Sequence, residues 1–380
     1  MKILQAHNYY QQAGGEDTVV AQEKQILEKN GHEVITFYKQ NEDINSWNKI
    51  SKLRLIKEVS WSKKVFQEVD EIIKANPVNV CHVHNTLPLI SPSIYYACKS
   101  NNVPVVQTLH NYRLICTNGL LMRNGRICEE CLGRSPYGAI AKKCYRNSAL
   151  QTFVVARMLQ KNKRMGTWEK QVDAYICLTE MAKEKFIAHG IPENKLFVKP
   201  NFIEVSLKPE VQKDDYLLYA GRITAEKGAK LIQSLATKLD YPIKVVGEGA
   251  LAADLKGISS IELLGRKSHA ETLKLMQKAK AVLFPSLLYE GMPMTIIEAF
   301  ALKTPIIASG IGAAKSMISD METGILFDYN SAESLIEKVN FCLNHPQEMS
   351  AMAEKAFREY ENHYTAKENL KMLIKLYQSL

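Results

Sequence analysis

Short apolar runs alternate with amphipathic stretches through the first half of the chain, a pattern typical of strands separated by helices. The run Lys2 to Ala6 leads into a helical pattern, and similar apolar runs recur further along. Those runs predict strands at His32 to Tyr38, Val80 to His84, Val103 to His110 and Ala174 to Leu178. Strands that alternate with helices predict a parallel sheet covered on both faces, with functional loops at the carboxyl ends of the strands.

The second half repeats this pattern after a polar stretch with two prolines, residues 198–215. Its predicted strands are Tyr216 to Ala220, Ile243 to Val246, Ile261 to Leu264, Ala281 to Pro285, Pro305 to Ala308 and Gly324 to Phe327. We therefore predict an α/β chain with two doubly wound parallel-sheet domains. The first covers residues 1–205, the second covers residues 206–362, and residues 363–380 form a helix that can return to the first domain.

Composition narrows the class of protein without naming a function. The chain has 380 residues, 46% of them hydrophobic and 23% charged, which is typical of a globular protein with a full core. No apolar run of about 18 residues occurs, and the sequence begins directly with a strand-like segment. We expect a cytoplasmic protein that neither spans a membrane nor is exported.

The whole chain has a formal net charge of +9, and positive charge is concentrated in its first half. Residues 111–170 hold 12 Lys and Arg against 3 Asp and Glu, and a second basic stretch from Lys49 to Lys64 is interleaved with Leu53 and Trp61. Such a surface suits an anionic inner membrane face or a pyrophosphate-bearing lipid, with solvated helix faces as the alternative. No nucleic-acid-reading motif accompanies the charge, so no nucleic-acid partner is expected.

Eight cysteines in a chain without an export signal indicate reduced thiols. Four of them cluster inside the basic segment 111–170: Cys116, Cys128, Cys131 and Cys144. A Cys-x-x-Cys pair flanked by single cysteines could form a tetrahedral structural zinc site, and unligated thiols are the alternative. Four thiolates leave no open position on the metal, so any such zinc would be structural. No cofactor is expected for catalysis.

The strongest chemical signal is a pair of glutamates, Glu290 and Glu298, in the motif YEGMPMTIIE. Pro293 suits the start of a helix, which places Glu290 in the preceding loop and Glu298 on the helix. Eight helical steps span about 12 Å, comparable to the distance between the hexose and the ribose of a sugar nucleotide. Glu298 would hold ribose hydroxyls, while Glu290 and the backbone of Gly291, Met292, Pro293 and Met294 would hold the sugar.

Two further loops are candidates for binding phosphate. Arg222 and Lys227 follow the first strand of the second half, where two cations could clamp a diphosphate and stabilise it as a leaving group. Gly14 and Gly15 precede the first helix and could bring its positive end close to the same diphosphate. Gly247, in the sequence VGEGA, is a candidate nucleotide-lining turn, with a purely structural glycine as the alternative.

Taken together, these motifs resemble the retaining glycosyltransferase family 4, which has the GT-B fold of two Rossmann-like domains facing across a cleft. The resemblance covers nearly the whole chain and includes GHEV, QTLHNYRLICTNG, GRITAEKG, VVGEGA, LLGR and YEGMPMTIIEAF. It is greatest to bacterial enzymes of polysaccharide and lipopolysaccharide assembly. It implies transfer without a catalytic metal, with the donor on the second domain and the acceptor on the first.

The resemblance also assigns roles to individual residues. Arg222 and Lys227 resemble the diphosphate-binding pair, Glu290 the carboxylate that contacts the hexose, and His110 the histidine that contacts the sugar. Gly265 and Arg266 resemble the loop that lines the base. One stretch departs from the family, since Ser316 stands where a glutamate is common, and this leaves the identity of the sugar open.

We therefore predict a glycosyltransferase that moves a sugar from a nucleotide diphosphate donor to a glycan or lipid-linked acceptor in cell-surface polysaccharide synthesis. A GT-B nucleotide-sugar epimerase and a non-catalytic nucleotide-sugar-binding subunit are the alternatives. A nicotinamide dehydrogenase ranks last, because no dinucleotide fingerprint follows a first strand.

Overall fold

The computed structural model describes residues 1–11, 14–207 and 212–380. Its 14 strands are β1 (Lys2–Tyr9), β2 (Glu33–Gln40), β3 (Val80–Val83), β4 (Val105–Leu109), β5 (Met122–Arg123), β6 (Arg126–Ile127), β7 (Ala174–Cys177), β8 (Leu196–Val198), β9 (Leu217–Ala220), β10 (Ile243–Val246), β11 (Ile261–Gly265), β12 (Ala281–Phe284), β13 (Ile306–Ser309) and β14 (Ile325–Phe327).

Helices separate most of these strands. They are α1 (Gly15–Lys29), α2 (Asp43–Ser46), α3 (Lys49–Glu58), α4 (Lys63–Ala75), α5 (Ser93–Ser100), α6 (Gly138–Ala141), α7 (Ala149–Arg164), α8 (Thr167–Lys170), α9 (Glu180–His189), α10 (Ala229–Lys238), α11 (Ala252–Leu255), α12 (His269–Lys278), α13 (Met294–Ala301), α14 (Gly312–Met317), α15 (Ala332–Asn344), α16 (Pro346–His363) and α17 (Ala366–Gln378).

The chain forms two compact units. The first consists of residues 1–121, 128–200 and 369–380, and the second of residues 122–127 and 201–368. The predicted boundary at 205/206 lies five residues beyond this division at 200/201. Part of the predicted linker, residues 208–211, lies outside the described residues.

The first unit is built on a six-stranded parallel sheet with the order β2-β1-β3-β4-β7-β8. Its strands β3, β4 and β7 have four or five residues each and are buried along their full length. Strands buried on both faces are typical of a parallel sheet covered by helices on each side. The chain reverses direction along the sheet between β1 and β3, which makes their carboxyl ends the expected place for a ligand.

The second unit is built on another six-stranded parallel sheet, with the order β11-β10-β9-β12-β13-β14. Successive residues of β9 point to opposite faces, so Leu217 and Tyr219 join one apolar core while Leu218 joins the other. Here the strand order reverses between β9 and β12. The two sheets confirm the predicted fold class of two doubly wound parallel-sheet domains.

Candidate active site

An ion pair lies at the strand-order reversal of the second unit. Lys227 ends a single 3-10 turn, Ala225–Lys227, after β9, and Glu290 lies in the loop between β12 and α13. The ammonium of Lys227 donates to Oε1 of Glu290 at 2.5 Å, and the hydroxyl of Ser286 donates to the same oxygen at 2.7 Å. Both charged side chains are mostly buried, with 21% and 17% of their surfaces exposed, so solvent screens the pair only partly.

Close packing between backbones holds the two loops of this ion pair together. Gly228 has φ +81°, and a Cβ there would collide with the carbonyl of Pro285, which follows β12. The amide of Leu287 also donates to the carbonyl of Glu226 at 2.9 Å. Only glycine allows this approach at a positive φ, so the position of Lys227 relative to Glu290 depends on Gly228.

The loop that contains Arg222 is fixed from inside by a tyrosine. The hydroxyl of Tyr219 donates to the carbonyl of Arg222 at 2.7 Å and lies 3.3 Å from the carbonyl of Lys227. Burial raises the pKa of Tyr219, so its hydroxyl stays protonated and remains a donor. The side chain of Arg222 is exposed beyond this loop. It is therefore accessible to a ligand, as a diphosphate clamp requires.

Gly247 has a packing role that the sequence left open. Its φ is +138°, and a Cβ there would collide with the carbonyl of Gly221. The amide of Gly221 in turn donates to the carbonyl of Val246 at 2.9 Å. This glycine lets the loop after β10 lie directly against the loop that contains Arg222, and structural necessity is enough to explain it.

Glu298 has a partner that the sequence did not predict. It lies on α13, and its Oε1 is 2.9 Å from Nε2 of His269, the first residue of α12. The carboxylate is buried, whereas His269 is exposed. The hydrogen bond to Glu298 raises the pKa of His269, which favours the charged imidazolium beside the carboxylate.

The backbone next to Glu290 forms the start of α13. Gly291 is half-buried in the loop, Pro293 caps the helix with extended dihedrals, and Met294 is the first helical residue, one position after the predicted start. Met292 is buried, and its sulfur accepts a hydrogen bond from the backbone amide of Asn201 at 3.1 Å. The predicted sugar-binding backbone is therefore a loop that runs into a helix N-terminus.

The remaining donor-side residues lie at the edges of this site. Gly265 ends β11 with φ +64°, and Arg266 after it is exposed. Ser316 is exposed on α14 and donates to the carbonyl of Ala313 at 3.0 Å. A short hydroxyl therefore occupies the position at which the family resemblance implied a carboxylate.

In the first unit, His110 follows β4 and contacts a second histidine. Its Nε2 lies 3.0 Å from Nδ1 of His84, which follows β3, and the two rings stack. Burial is the main cause that lowers the pKa of both groups, so both imidazoles are neutral at physiological pH. The two side chains line one pocket together with Asn111 and Arg113.

A buried ion pair lies behind these histidines. Nζ of Lys199 is 2.6 Å from Oε1 of Glu23, and Oε2 of Glu23 lies 3.8 Å from Nδ1 of His82 and 3.6 Å from Nε2 of His84. Glu23, His82 and His84 each offer one ligand atom, and these three atoms all lie within 4.8 Å of one another, as they would at a metal site. Lys199 already supplies the cation here, and Tyr377 and Thr108 each contact a nitrogen of His82, at 2.7 Å and 2.8 Å.

The predicted glycine loop after β1 is described only in part, since residues 12–13 lie outside the described residues. Gly14 caps α1 with extended dihedrals, and its amide donates to Asp17 at 3.0 Å. Gly15 is the first residue of α1, and Glu16 follows it. Burial, with a smaller effect from Asp17, raises the pKa of Glu16 to about 8. The helix start therefore has a carboxyl group that is largely protonated at neutral pH.

The four clustered cysteines also belong to the first unit, and none forms a disulfide. Cys116 is buried, and Cys128, Cys131 and Cys144 are half-buried.

Two doubly wound parallel sheets, the second with a cation and carboxylate pair at its strand-order reversal, define a GT-B glycosyltransferase. The chain belongs to glycosyltransferase family 4. Residues 13–207, more than half of the chain, match the family described as Glycosyltransferase Family 4, and residues 202–359 match Glycosyl transferases group 1. The predicted family and the predicted enzyme class are thereby confirmed.

Individual proteins of this kind are similar at low identity. An uncharacterised glycosyltransferase of Methanocaldococcus jannaschii is 22% identical over 100% of this chain and 99% of its own length. The O-antigen chain mannosyltransferase C of Escherichia coli is 26% identical over 45% of this chain, which spans 48% of that protein. The solved structure of HepE from Anabaena in complex with UDP has a TM-score of 0.68 at 15% identity and covers 100% of both chains.

Proposed function

We propose that this glycosyltransferase moves a sugar from a nucleotide diphosphate donor to a glycan or lipid-linked acceptor during synthesis of a cell-surface polysaccharide. The observation that carries the donor side is the Lys227–Glu290 pair at 2.5 Å at the strand-order reversal of the second sheet. Ligands of open α/β sheets bind at such reversals. The similarity to an O-antigen chain mannosyltransferase supports the acceptor class.

In this proposal the two cations bind the diphosphate. Arg222 is exposed and Lys227 is held at its loop by Gly228, so a diphosphate can bridge the two side chains. Fixed cations stabilise the negative charge that develops as the bond between the sugar carbon and the phosphate oxygen breaks. In the absence of a donor, Glu290 balances the charge of Lys227.

The carboxylates position the rest of the donor. Glu290 accepts hydrogen bonds from hydroxyl groups of the sugar. Glu298 exchanges its hydrogen bond to His269 for hydrogen bonds from the ribose hydroxyl groups. The acceptor oxygen bonds to the sugar carbon from the face that the diphosphate leaves. Because the new bond forms on the face that the diphosphate leaves, the anomeric configuration is retained without an enzyme nucleophile. The proton of the acceptor hydroxyl passes to a diphosphate oxygen.

Thermal stabilisation by nucleotides tests the donor side directly. A ligand at 100 times its Kd stabilises the protein by about 2.7 kcal/mol, which for a domain of this size corresponds to roughly 5–10 °C in Tm. UDP and UDP-sugars are the first compounds to test, because the HepE structure contains UDP; GDP, dTDP and their sugars complete the panel.

The expected result is a shift with one nucleotide family that Arg222→Ala abolishes. Lys230→Ala is the matched control, because Lys230 is exposed on the next helix and lies outside the proposed clamp. If no nucleotide shifts the wild type, the proposed donor site is wrong. If a nucleotide sugar is isomerised in the absence of any acceptor, the activity is that of an epimerase.

We further propose that helices α3 and α7 of the first unit contact an anionic membrane surface. Ile50 and Leu53 on α3 are 70% and 65% exposed, and Leu150 and Phe153 on α7 are 62% and 40% exposed. The helices are neighbours, since Arg157 of α7 donates to a carbonyl of α3 at 3.5 Å. Exposed apolar side chains among basic residues suit an anionic lipid surface.

Vesicle binding tests this surface. Wild type is expected to sediment with vesicles of phosphatidylglycerol and phosphatidylcholine, and less with phosphatidylcholine alone. The double variant Ile50→Ser, Leu53→Ser should bind at least tenfold more weakly, because burying one such side chain is worth about 1.5–3 kcal/mol. Met321→Ser is the control, since Met321 is 40% exposed but belongs to the second unit. Unchanged binding of the double variant would refute this contact.

The described residues include no helix that is both long enough and apolar enough to span a bilayer.

A further inference from the structure

The segment that contains Cys128, Cys131 and Cys144 lacks an apolar core of its own. Between residues 123 and 148 only Pro136 and Ala139 are buried. Its regular structure is limited to the two-residue strands β5 and β6 and the four-residue helix α6. Segments of this kind usually need a cross-link or a metal to become stable, because they bury too little apolar surface.

Arg113 brings two of the four cysteines to the same place. Its guanidinium donates to the carbonyl of Thr117 and lies 4.7 Å from the ring centroid of Tyr145. Thr117 follows Cys116 and Tyr145 follows Cys144 directly in the chain. One side chain therefore contacts the immediate neighbours of both cysteines.

Backbone hydrogen bonds bring the Cys-x-x-Cys pair to the same loop. The amide of Gly119 donates to the carbonyl of Cys116 at 3.0 Å, and the amide of Cys128 donates to the carbonyl of Leu121 at 2.8 Å. The chain thus leaves Cys116, turns, and returns at Cys128.

A second turn follows within the pair and places Cys131 near Cys128. The amide of Leu132 donates to the carbonyl of Glu129 at 2.9 Å, and the amide of Arg134 donates to the carbonyl of Cys131 at 3.2 Å. Two residues between cysteines on a tight turn is the spacing of structural zinc sites.

The electrostatics of Cys131 agree with this arrangement. Burial, with smaller effects from Cys116, Cys144 and Cys128, raises the pKa of the Cys131 thiol to about 11. All three other cysteines are thus close enough to act on Cys131.

We propose that Cys116, Cys128, Cys131 and Cys144 bind one structural zinc ion. Each thiol loses its proton to solvent, and four Zn–S bonds of about 2.3 Å complete a tetrahedral shell with no open position. No three of these sulfurs lie within 4.8 Å of one another, so metal binding draws the two turns together. The exposed cations Arg134, Lys143 and Arg146 offset the net charge of the zinc–thiolate centre.

The ion would also order a functional loop. Arg113 lines the same pocket as His84 and His110, and its guanidinium contacts the residues next to Cys116 and Cys144. Zinc at these cysteines therefore fixes the position of Arg113. Loss of the metal is expected to lower Tm. It should disturb the first unit more than it weakens nucleotide binding by the second unit.

Elemental analysis of the untagged full-length protein tests the site. Wild type purified under reducing conditions should contain about one zinc per chain, and Cys128→Ser, Cys131→Ser should contain almost none. Cys342→Ala removes a buried thiol of the second unit and should retain the full zinc content. Wild type reconstituted with cobalt(II) should display the thiolate-to-cobalt charge-transfer band and the visible bands of a tetrahedral complex.

A measurement on wild type keeps the test valid if the double variant does not fold. A thiol-modifying reagent should release one zinc per chain as four thiols react. The proposal is overturned if wild type contains no zinc and binds none when it is added under reducing conditions. It is also overturned if the folded double variant retains the metal, or if the four cysteines prove to be disulfide-bonded in the reduced preparation.

Discussion

Nδ1 of His84 and Nε2 of His110 lie 3.0 Å apart, so one of these neutral imidazoles donates to the other. Nε2 of His84 faces two groups of opposite character, the amide nitrogen of Gln5 at 3.4 Å and the carboxylate oxygen Oε2 of Glu23 at 3.6 Å. The tautomer of His84 therefore decides which of the two groups it bonds and which histidine donates within the pair.

Replacing His84 should change His110 without removing it. His84→Phe keeps a stacked ring but abolishes the hydrogen bond, so the tautomer and orientation of His110 are no longer fixed. A hydrogen bond of about 0.5–1.5 kcal/mol corresponds to a roughly twofold to thirteenfold fall in kcat, with the KM of the donor nearly unchanged. Steady-state kinetics and ¹⁵N chemical shifts of the His110 ring measure the two effects.

A matched control separates this effect from general damage to the core. His82→Gln changes an equally buried histidine that contacts Thr108 and Tyr377 instead of His110. It should lower Tm while leaving the ring nitrogens of His110 as in wild type. If the His110 shifts are the same in wild type and His84→Phe, His84 does not set the tautomer.

Stability should fall in mild acid because of the buried histidines. Burial lowers the pKa of His82 to about 4, below its ordinary value of 6.5. As the pH falls from 6.5 towards 4, the unfolded chain binds a proton at this position and the folded chain does not. The free energy of unfolding then decreases by about 1.4 kcal/mol per pH unit for each such histidine.

Melting temperatures between pH 7.5 and pH 4.5 check this expectation. His82→Gln should flatten the acid limb of the Tm curve, whereas His345→Gln, at an exposed position, should leave it unchanged. An identical slope in wild type and His82→Gln would mean that other groups dominate the acid response.

The Lys227–Glu290 pair should couple donor binding to sugar positioning. Glu290→Gln removes the charge that holds the Lys227 ammonium but keeps an oxygen for Ser286. We expect binding of the nucleoside diphosphate to persist, because the cations remain. The value of kcat should fall about a hundredfold, because a misplacement of about 1 Å at the reacting centre has that effect.

A double-mutant cycle gives the coupling between the two residues. Lys227→Met, Glu290→Gln and the double variant are compared by isothermal titration with nucleotide and by transfer rate. Strict additivity of the kcat effects would show that the two side chains act independently despite their contact.

Gly247 and Gly257 offer a matched pair of glycines with positive φ, at +138° and +86°. A Cβ at Gly247 would collide with the carbonyl of Gly221, whereas a Cβ at Gly257 meets no atom within 4 Å. Gly257→Ala should cost only the backbone strain of about 1–2 kcal/mol. Gly247→Ala should cost clearly more and also weaken nucleotide binding, since it displaces the loop of Arg222. Equal Tm values for the two variants would contradict this packing argument.

Much of the architecture could be predicted because buried parallel strands leave a clear trace in the sequence. The apolar run Val103 to His110 contains β4 (Val105–Leu109), and Ala174 to Leu178 contains β7 (Ala174–Cys177). In contrast, β8 was not predicted. It has three residues and includes the exposed Phe197, so it has neither the length nor the apolar character of a buried strand.

The site was predicted as separate motifs but not as contacts. Lys227 and Glu290 are 63 residues apart, and nothing in either motif specifies that their charges meet. Ser286 and His269 were not predicted as site residues, because an isolated serine or histidine becomes informative only when tertiary structure brings it to a carboxylate. Gly228 and Gly247 show why loops are hard to predict, since their necessity arises from a carbonyl on another loop.

Tyr377 forms a hydrogen bond with His82 inside the first unit, although 295 positions separate the two residues. The residues of the second unit are synthesised between them. During translation, the packing around His82 is therefore expected to stay incomplete until α17 has left the ribosome. The second unit is continuous from residue 201 to residue 368 apart from its short hairpin, so it can complete its own core earlier. We therefore expect the second unit to complete its fold before the first unit, although most of the first unit is synthesised earlier.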